Sequence, residues 1–153
     1  MLQEGQRAPE FTVKNHENEE VSLSDFRGRN VVLYFYPKDN TSGCTKEACG
    51  FRDLRAEFER VNAVILGVSP DSVKSHRNFI SKYDLPFPLL SDVDKEVVQL
   101  YGVWQEKSMY GRKYLGVVRT TYVIDSEGII RKIYPKVKVT EHPQAVLDFV
   151  KSL

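Results

Sequence analysis

The chain has 153 residues, 41% of them hydrophobic, with 22 lysines and arginines against 21 aspartates and glutamates. That length suits one domain spanning residues 1–153 with a packed core, and the balance of charge offers no bulk attraction to nucleic acid or an anionic membrane. No apolar run approaches the ~20 residues of a membrane span, the N-terminus lacks an apolar signal region, and two cysteines cannot build a multi-bridge secreted framework, so a cytoplasmic protein is expected.

Phe11-Thr-Val13 and Val21-Ser-Leu23 read as short strands around the polar turn Asn15 to Glu20, an N-terminal β-hairpin. His16 falls in that turn and reads as a solvated histidine. Ser24 to Gly28 is a helical turn or loop that delivers the chain to Val31-Val-Leu-Tyr-Phe-Tyr36, an unbroken β-branched and aromatic run suited to a buried strand. Pro37 stops that strand, because proline cannot donate to a ladder. Asp39-Asn-Thr-Ser-Gly43 is a dense cluster of turn residues. After it, Phe51, Leu54, Phe58 and Val61 recur at helical spacing, which predicts a helix from near Cys44 to about Arg60.

The two cysteines, Cys44 and Cys49, therefore fall where a strand end meets a helix start. Free N–H groups and about half a positive charge at a helix N-terminus favour thiolate over thiol, and the thiolate is the nucleophile. The competing reading makes Cys44 a small buried hydrophobe. Thr41, three residues earlier, either turns its hydroxyl toward the sulfur or caps the helix.

Downstream, Ala63-Val-Ile-Leu-Gly-Val-Ser69 is a second buried strand, and Pro70 to Ser72 opens a helix whose apolar residues are Val73, Phe79, Ile80 and Tyr83. His76 is placed on the outer surface of that helix. Leu85-Pro-Phe-Pro88 is extended, with Phe87 either in the core or beside the active site. Leu89-Leu-Ser91 is a short strand, and Asp94 to Tyr101 a short helix ended by Gly102. Gln105 to Gly116, charged and carrying two glycines, reads as a loop and a candidate flap. Thr120 to Ile124 and Ile129 to Tyr134 are strands joined by Asp125-Ser-Glu-Gly128, a hairpin signal. Pro143 to Leu153 closes the chain as a helix with Val146, Leu147 and Val150 on one side, and His142 just outside its start. Alternating strands and helices indicate an α/β protein: a central mixed sheet with helices on both faces.

At the cysteines the residues resemble a known family. Pro37-x3-Thr41-x2-Cys44 matches the peroxiredoxin active-site signature, and Gly43 to Asp53, with its second cysteine at Cys49, resembles the peroxiredoxin Q or bacterioferritin-comigratory subfamily. Gly5-x2-Ala8-Pro-x-Phe11, Met109-Tyr-Gly111 and Arg119-Thr-Thr-Tyr-Val-Ile-Asp125 extend the resemblance over nearly the whole chain. Ser42 departs from it, standing where the family often has proline.

The resemblance implies a thioredoxin-like fold with an added N-terminal hairpin. It also implies a thiol-dependent peroxidase acting on hydrogen peroxide and organic hydroperoxides. Its site would comprise Pro37, Thr41, Cys44, Cys49 and Arg119. Cys44 would attack peroxide, and Cys49 of the same chain would resolve the sulfenic acid as a disulfide. A thioredoxin-like or glutaredoxin-like dithiol protein would restore the pair. Neither a metal nor an organic cofactor is implied, and a monomer is expected. Arg119 is the cation that the resemblance selects from the 22 basic residues; Glu47 either buttresses it or is a solvated helix carboxylate. Three other readings compete. A dithiol oxidoreductase would place two residues between its cysteines, where this chain has four. A zinc site needs about four ligands, and two cysteines with three dispersed histidines offer no such set. A redox-sensing or chaperone-like binding protein would use Cys44 to signal without turnover.

Overall fold

The computed structural model describes residues 2–153. Its elements follow in chain order as β1 (Thr12–Asn15), β2 (Glu20–Ser22), a 3-10 turn (Leu23–Phe26), β3 (Asn30–Phe35), α1 (Ser42–Asp53), α2 (Arg55–Arg60), β4 (Ala63–Ser69) and α3 (Val73–Tyr83). There follow β5 (Leu89–Ser91), α4 (Glu96–Leu100), β6 (Trp104–Met109), β7 (Arg112–Val117), β8 (Thr120–Ile124), β9 (Ile130–Tyr134) and α5 (His142–Lys151).

Seven strands form one mixed sheet in the order β2-β1-β5-β4-β3-β8-β9. The central strands β3, β4 and β5 run parallel, as the intervening helices require, while the hairpins at either edge pair antiparallel. β3 lies between β4 and β8, and Val31 to Tyr36 are all buried because both faces of this strand are covered. Strand alternation then sorts the core into two layers. Val32, Tyr34 and Tyr36 pack with Ala48 and Phe51 of α1, Phe58 of α2, Phe79 of α3 and Val146, Leu147 and Val150 of α5. Val31, Leu33 and Phe35 face the other way, against α4 and the N-terminal segment around Ala8 and Phe11. Among the described residues, no helix is long and apolar enough to cross a membrane.

Four sequence expectations need correction. The predicted helix from Cys44 to Arg60 begins two residues earlier and is divided at Leu54, whose backbone leaves helical geometry at φ −103° and ψ 2°. Phe51 and Phe58 stay fully buried on either side; seven residues apart, they keep one face through the break, so their periodicity gives no sign of it. The expected loop Gln105 to Gly116 is a two-stranded hairpin, β6 with β7, joined to neither edge of the main sheet. Its turn is Tyr110-Gly111, both at positive φ, the geometry that matches strand twist in a two-residue hairpin. Most residues of both strands are exposed, so the apolar alternation that marks a half-buried strand is missing. His76 is fully buried, not on an outer surface, because both ring nitrogens find partners inside. His142 is the first residue of α5 and is buried as well.

Candidate active site

The loop that leaves β3 is pinned before it reaches the cysteine. Pro37 ends the strand half-buried. Asp39 then turns inward: its Oδ1 accepts from Tyr36 Oη at 2.6 Å and its Oδ2 accepts from Ser75 Oγ at 2.8 Å, with His76 Nδ1 at 2.7 Å from the same oxygen. The Asp39 amide donates to Asp71 Oδ2 at 2.8 Å. His76 Nε2 lies 2.9 Å from the Leu90 carbonyl, which can only accept, so that nitrogen carries a proton. A further proton must lie between Nδ1 and the Asp39 carboxyl. Burial keeps the Tyr36 phenol well above its ordinary titration range, so it remains a donor. Asp39, Asp71 and His76 bring metal-ligating atom types together, yet both Asp39 oxygens and both His76 nitrogens are committed to these hydrogen bonds. The cluster anchors the active-site loop to α3.

From this anchor the chain enters α1. The Thr41 carbonyl accepts from the Thr45 amide at 2.8 Å. Its hydroxyl donates to the Lys38 carbonyl at 3.0 Å, so it neither caps the helix nor meets the sulfur. With its proton so engaged, its lone pairs remain available to accept from a bound molecule. Cys44 is the third residue of α1 and only 1% exposed.

Arg119, between β7 and β8, reaches this helix start. Its Nη2 donates to Cys44 Sγ at 3.2 Å and its Nη1 to Glu47 Oε1 at 2.7 Å. Its backbone is fixed from behind, where its carbonyl accepts from the Val137 amide at 2.8 Å. Gly43 permits the approach: a Cβ there would sit 3.2 Å from Arg119 Nη2, tighter than carbon normally tolerates. Burial opposes the guanidinium charge, but Glu47 and Cys44 outweigh it and hold Arg119 more firmly protonated. A guanidinium at hydrogen-bond distance and the free amides of a first helical turn both favour negative charge on the sulfur.

Glu47 lies three residues after Cys44 on the same face and is fully buried. Burial pushes its carboxyl up to about 7, with Arg119 pulling the other way. Oε2 has no hydrogen-bond partner. His142 Nε2 lies 4.0 Å from it, and that nitrogen is committed to Thr121 Oγ1 at 2.8 Å. Burial, reinforced by Arg119, pushes His142 down to about 4, so its ring is neutral at physiological pH. Tyr34 of β3 is stacked between Tyr36 and Phe51, and burial holds it as a phenol. Lys107 of β6 faces the site from the outer hairpin, its Nζ on the Val117 carbonyl at 3.0 Å and its charge disfavoured by burial and then by Arg119.

The structure therefore brings Cys44, Arg119 and Glu47 into one connected group, with Thr41 and Pro37 on the loop entering it. Cys49 is half-buried on the same helix, five residues on from Cys44, and both thiols are free. Phe87 is core: it is 4% exposed and packs edge-on against Tyr34. Glu47 is the residue that sequence reasoning left undecided, although Cys44, Glu47, Ala48 and Phe51 trace one buried helical stripe at i, i+3, i+4 and i+7. His142 and Thr121 meet only through the tertiary fold, and no local signal marks them.

A mixed sheet of this layout, with a cysteine opening the first long helix and a cation at its sulfur, defines a thioredoxin-like thiol redox protein. The AhpC/TSA family profile matches residues 4–133. A putative peroxiredoxin Bcp of Coxiella burnetii is 52% identical over 146 residues, covering 95% of this chain and 97% of the relative. Among solved structures, a cysteine-to-serine variant of peroxiredoxin Q from Xylella fastidiosa is 36% identical, superposes with a TM-score of 0.95 and covers 99% of this chain and 97% of that one. The bacterioferritin comigratory protein of Xanthomonas campestris, described in connection with its alkyl peroxide reduction activity, is 42% identical at a TM-score of 0.89, covering 93% of this chain and 90% of that one. The chain belongs to the AhpC/TSA family, among its peroxiredoxin Bcp and peroxiredoxin Q members, and is a peroxidase.

Proposed function

We propose that the chain, acting as a single cytoplasmic domain and a monomer, reduces hydrogen peroxide and organic hydroperoxides at Cys44 and is recycled by a thioredoxin-like or glutaredoxin-like protein dithiol. The observation that carries this reading is Arg119 Nη2 at 3.2 Å from Cys44 Sγ at the start of α1. The thiolate attacks one peroxide oxygen, the O–O bond breaks, and Arg119 faces the charge that develops on the leaving oxygen. Thr41, its hydroxyl proton spent on Lys38, accepts from the peroxide O–H, and Pro37 shapes the loop that presents it. Cys49 attacks the resulting sulfenic acid and closes a disulfide. The alkyl peroxide reduction described for the Xanthomonas campestris relative supports the organic hydroperoxide part of the substrate range.

Cys44→Ser is expected to abolish peroxide consumption with a dithiol reductant. Retention of most of the turnover by that variant in metal-free buffer would refute the assignment. Cys49→Ser is expected to complete one peroxide reduction and then stop, leaving a sulfenic acid on Cys44 that dimedone traps.

A further inference from the structure

One guanidinium serves two acidic groups in this site. Arg119 gives Nη2 to Cys44 and Nη1 to Glu47, and both acceptors are closed to solvent. With Cys44 as thiolate, an ionised Glu47 would put two negative charges on one cation in a region of low dielectric. The remaining surroundings give a second charge little support. Glu47 Oε2 is buried and unbonded, whereas a carboxylate has about four acceptor sites to satisfy. His142 of α5, 4.0 Å away, is neutral and turned to Thr121. Tyr34 of β3 is a buried phenol. Lys107 of β6 is held on the Val117 carbonyl.

We propose that Glu47 is a proton store for the peroxide step, protonated while Cys44 is a thiolate and ionised once oxidation removes the charge on sulfur. The proposal rests on the peroxidase reading of Cys44. A thiolate lone pair attacks one oxygen of ROOH, the S–O bond forms, and the O–O bond breaks with its electron pair on the leaving RO⁻. Sulfur is oxidised by two electrons and the peroxide is reduced by two. The attacked oxygen keeps its hydrogen, and the leaving alkoxide needs a proton. The sum is Cys44–S⁻ + ROOH + Glu47–COOH → Cys44–SOH + ROH + Glu47–COO⁻, with one negative charge on each side. Arg119 is then paired with a single anion again, now Glu47. The carboxyl pushed up to about 7 is matched to this exchange near neutral pH. Glu47 makes its bond to Arg119 and is a positioning and proton-balancing residue, not a catalytic one.

The test counts protons. Reduced Cys49→Ser protein, which halts at the sulfenic acid, is mixed with stoichiometric hydrogen peroxide in weak buffer just below pH 7. An indicator dye follows proton uptake, and dimedone trapping with mass spectrometry counts sulfenic acid. Without an internal donor, thiolate oxidation to sulfenic acid takes about one proton from solvent per event. The Cys49→Ser protein is expected to take up about half of that or less, and Cys49→Ser/Glu47→Gln about one, since glutamine mimics the protonated carboxyl in shape but cannot release a proton. Infrared difference spectra are expected to lose a protonated-carboxyl band on oxidation in the first protein and to show no such band in the second. Equal proton uptake in the two proteins, with sulfenic acid formed in both, overturns the proton store and leaves the peroxidase reading standing. Failure of both to form sulfenic acid overturns the peroxidase reading itself and the proton store with it.

Discussion

At the scale of single residues the site turns on how one arginine is held. Arg119 has its backbone tied to Val137, its Nη1 tied to Glu47 and its path cleared by Gly43, so its Nη2 is aimed at the sulfur before any substrate arrives. Preorganised donors of this kind are worth about 10²- to 10³-fold in rate when one is removed. Arg119→Ala is therefore expected to slow the peroxide step by at least about 10²-fold. Arg119→Lys should recover only part of the rate, because an ammonium supplies the charge without the planar fork that engages Glu47 and Cys44 together. Stopped-flow peroxide reduction measures the rate of each variant. An alanine variant unchanged in rate would make Arg119 a structural ion-pair partner of Glu47 and nothing more.

At the scale of elements, α1 cannot stay as it is through a catalytic cycle that closes a Cys44–Cys49 disulfide. On one regular helix, residues five apart have Cα atoms ~8–9 Å from each other and on different sides, whereas a disulfide tolerates at most ~7 Å with the side chains converging. The segment from about Gly43 to Gly50 must unwind. The Asp39, Ser75 and His76 hydrogen bonds hold the chain just upstream, and the burial of Phe51 holds it just downstream, so melting is confined between two fixed points. Amide exchange is expected to show Thr45 to Gly50 protected in the reduced protein and exposed in a verified disulfide form, with Tyr36 and Phe58 protected in both. Equal protection of Thr45 to Gly50 in the two forms would contradict the unwinding. The same elements show how far the sequence was legible. β3 and β4 were readable as unbroken apolar runs ended by proline, and α5 because its apolar residues fall on one helical side. The β6–β7 hairpin was not, because its side chains face water and burial leaves no pattern. His76 was misplaced because a buried imidazole is settled by its partners, Asp39 and the Leu90 carbonyl, which come from other elements. Cys44 could be placed at a helix start from its neighbours, whereas the Thr41 hydroxyl, turned to the Lys38 carbonyl, follows neither local reading; Arg119 is singled out only through family resemblance; the burial of Glu47 is written in the helical stripe, but its pairing with Arg119 needed the fold.

At the scale of the whole molecule, the groups behind Cys44 give stability two opposing pH dependences. Burial raises Glu47 from an ordinary 4.5 to about 7 in the folded protein. The folded state then binds a proton that the unfolded state has already released, so this contribution is fully present below pH 4.5 and is lost as pH rises through 7. Burial and Arg119 lower His142 from an ordinary 6.5 to about 4. There the unfolded state binds the extra proton, so this contribution is fully present above pH 6.5 and is lost as pH falls through 4. Over roughly pH 4.5 to 6.5 the two slopes have opposite signs and offset each other. Removing either group should expose the other. Reduced Glu47→Gln protein is expected to gain stability relative to wild type as pH rises through 7. That relative gain is on the order of 3 kcal/mol at most, given about 1.4 kcal/mol for each tenfold change in proton affinity. His142→Asn is expected to gain relative to wild type as pH falls from 6.5 to 4, by a smaller amount because its ring lies nearer the surface. Urea unfolding of the three reduced proteins at closely spaced pH values reads both differences directly. Parallel stability profiles for wild type and Glu47→Gln between pH 4.5 and 7 would mean that Glu47 is ionised throughout that range, and that Arg119 alone is enough to hold two buried anions.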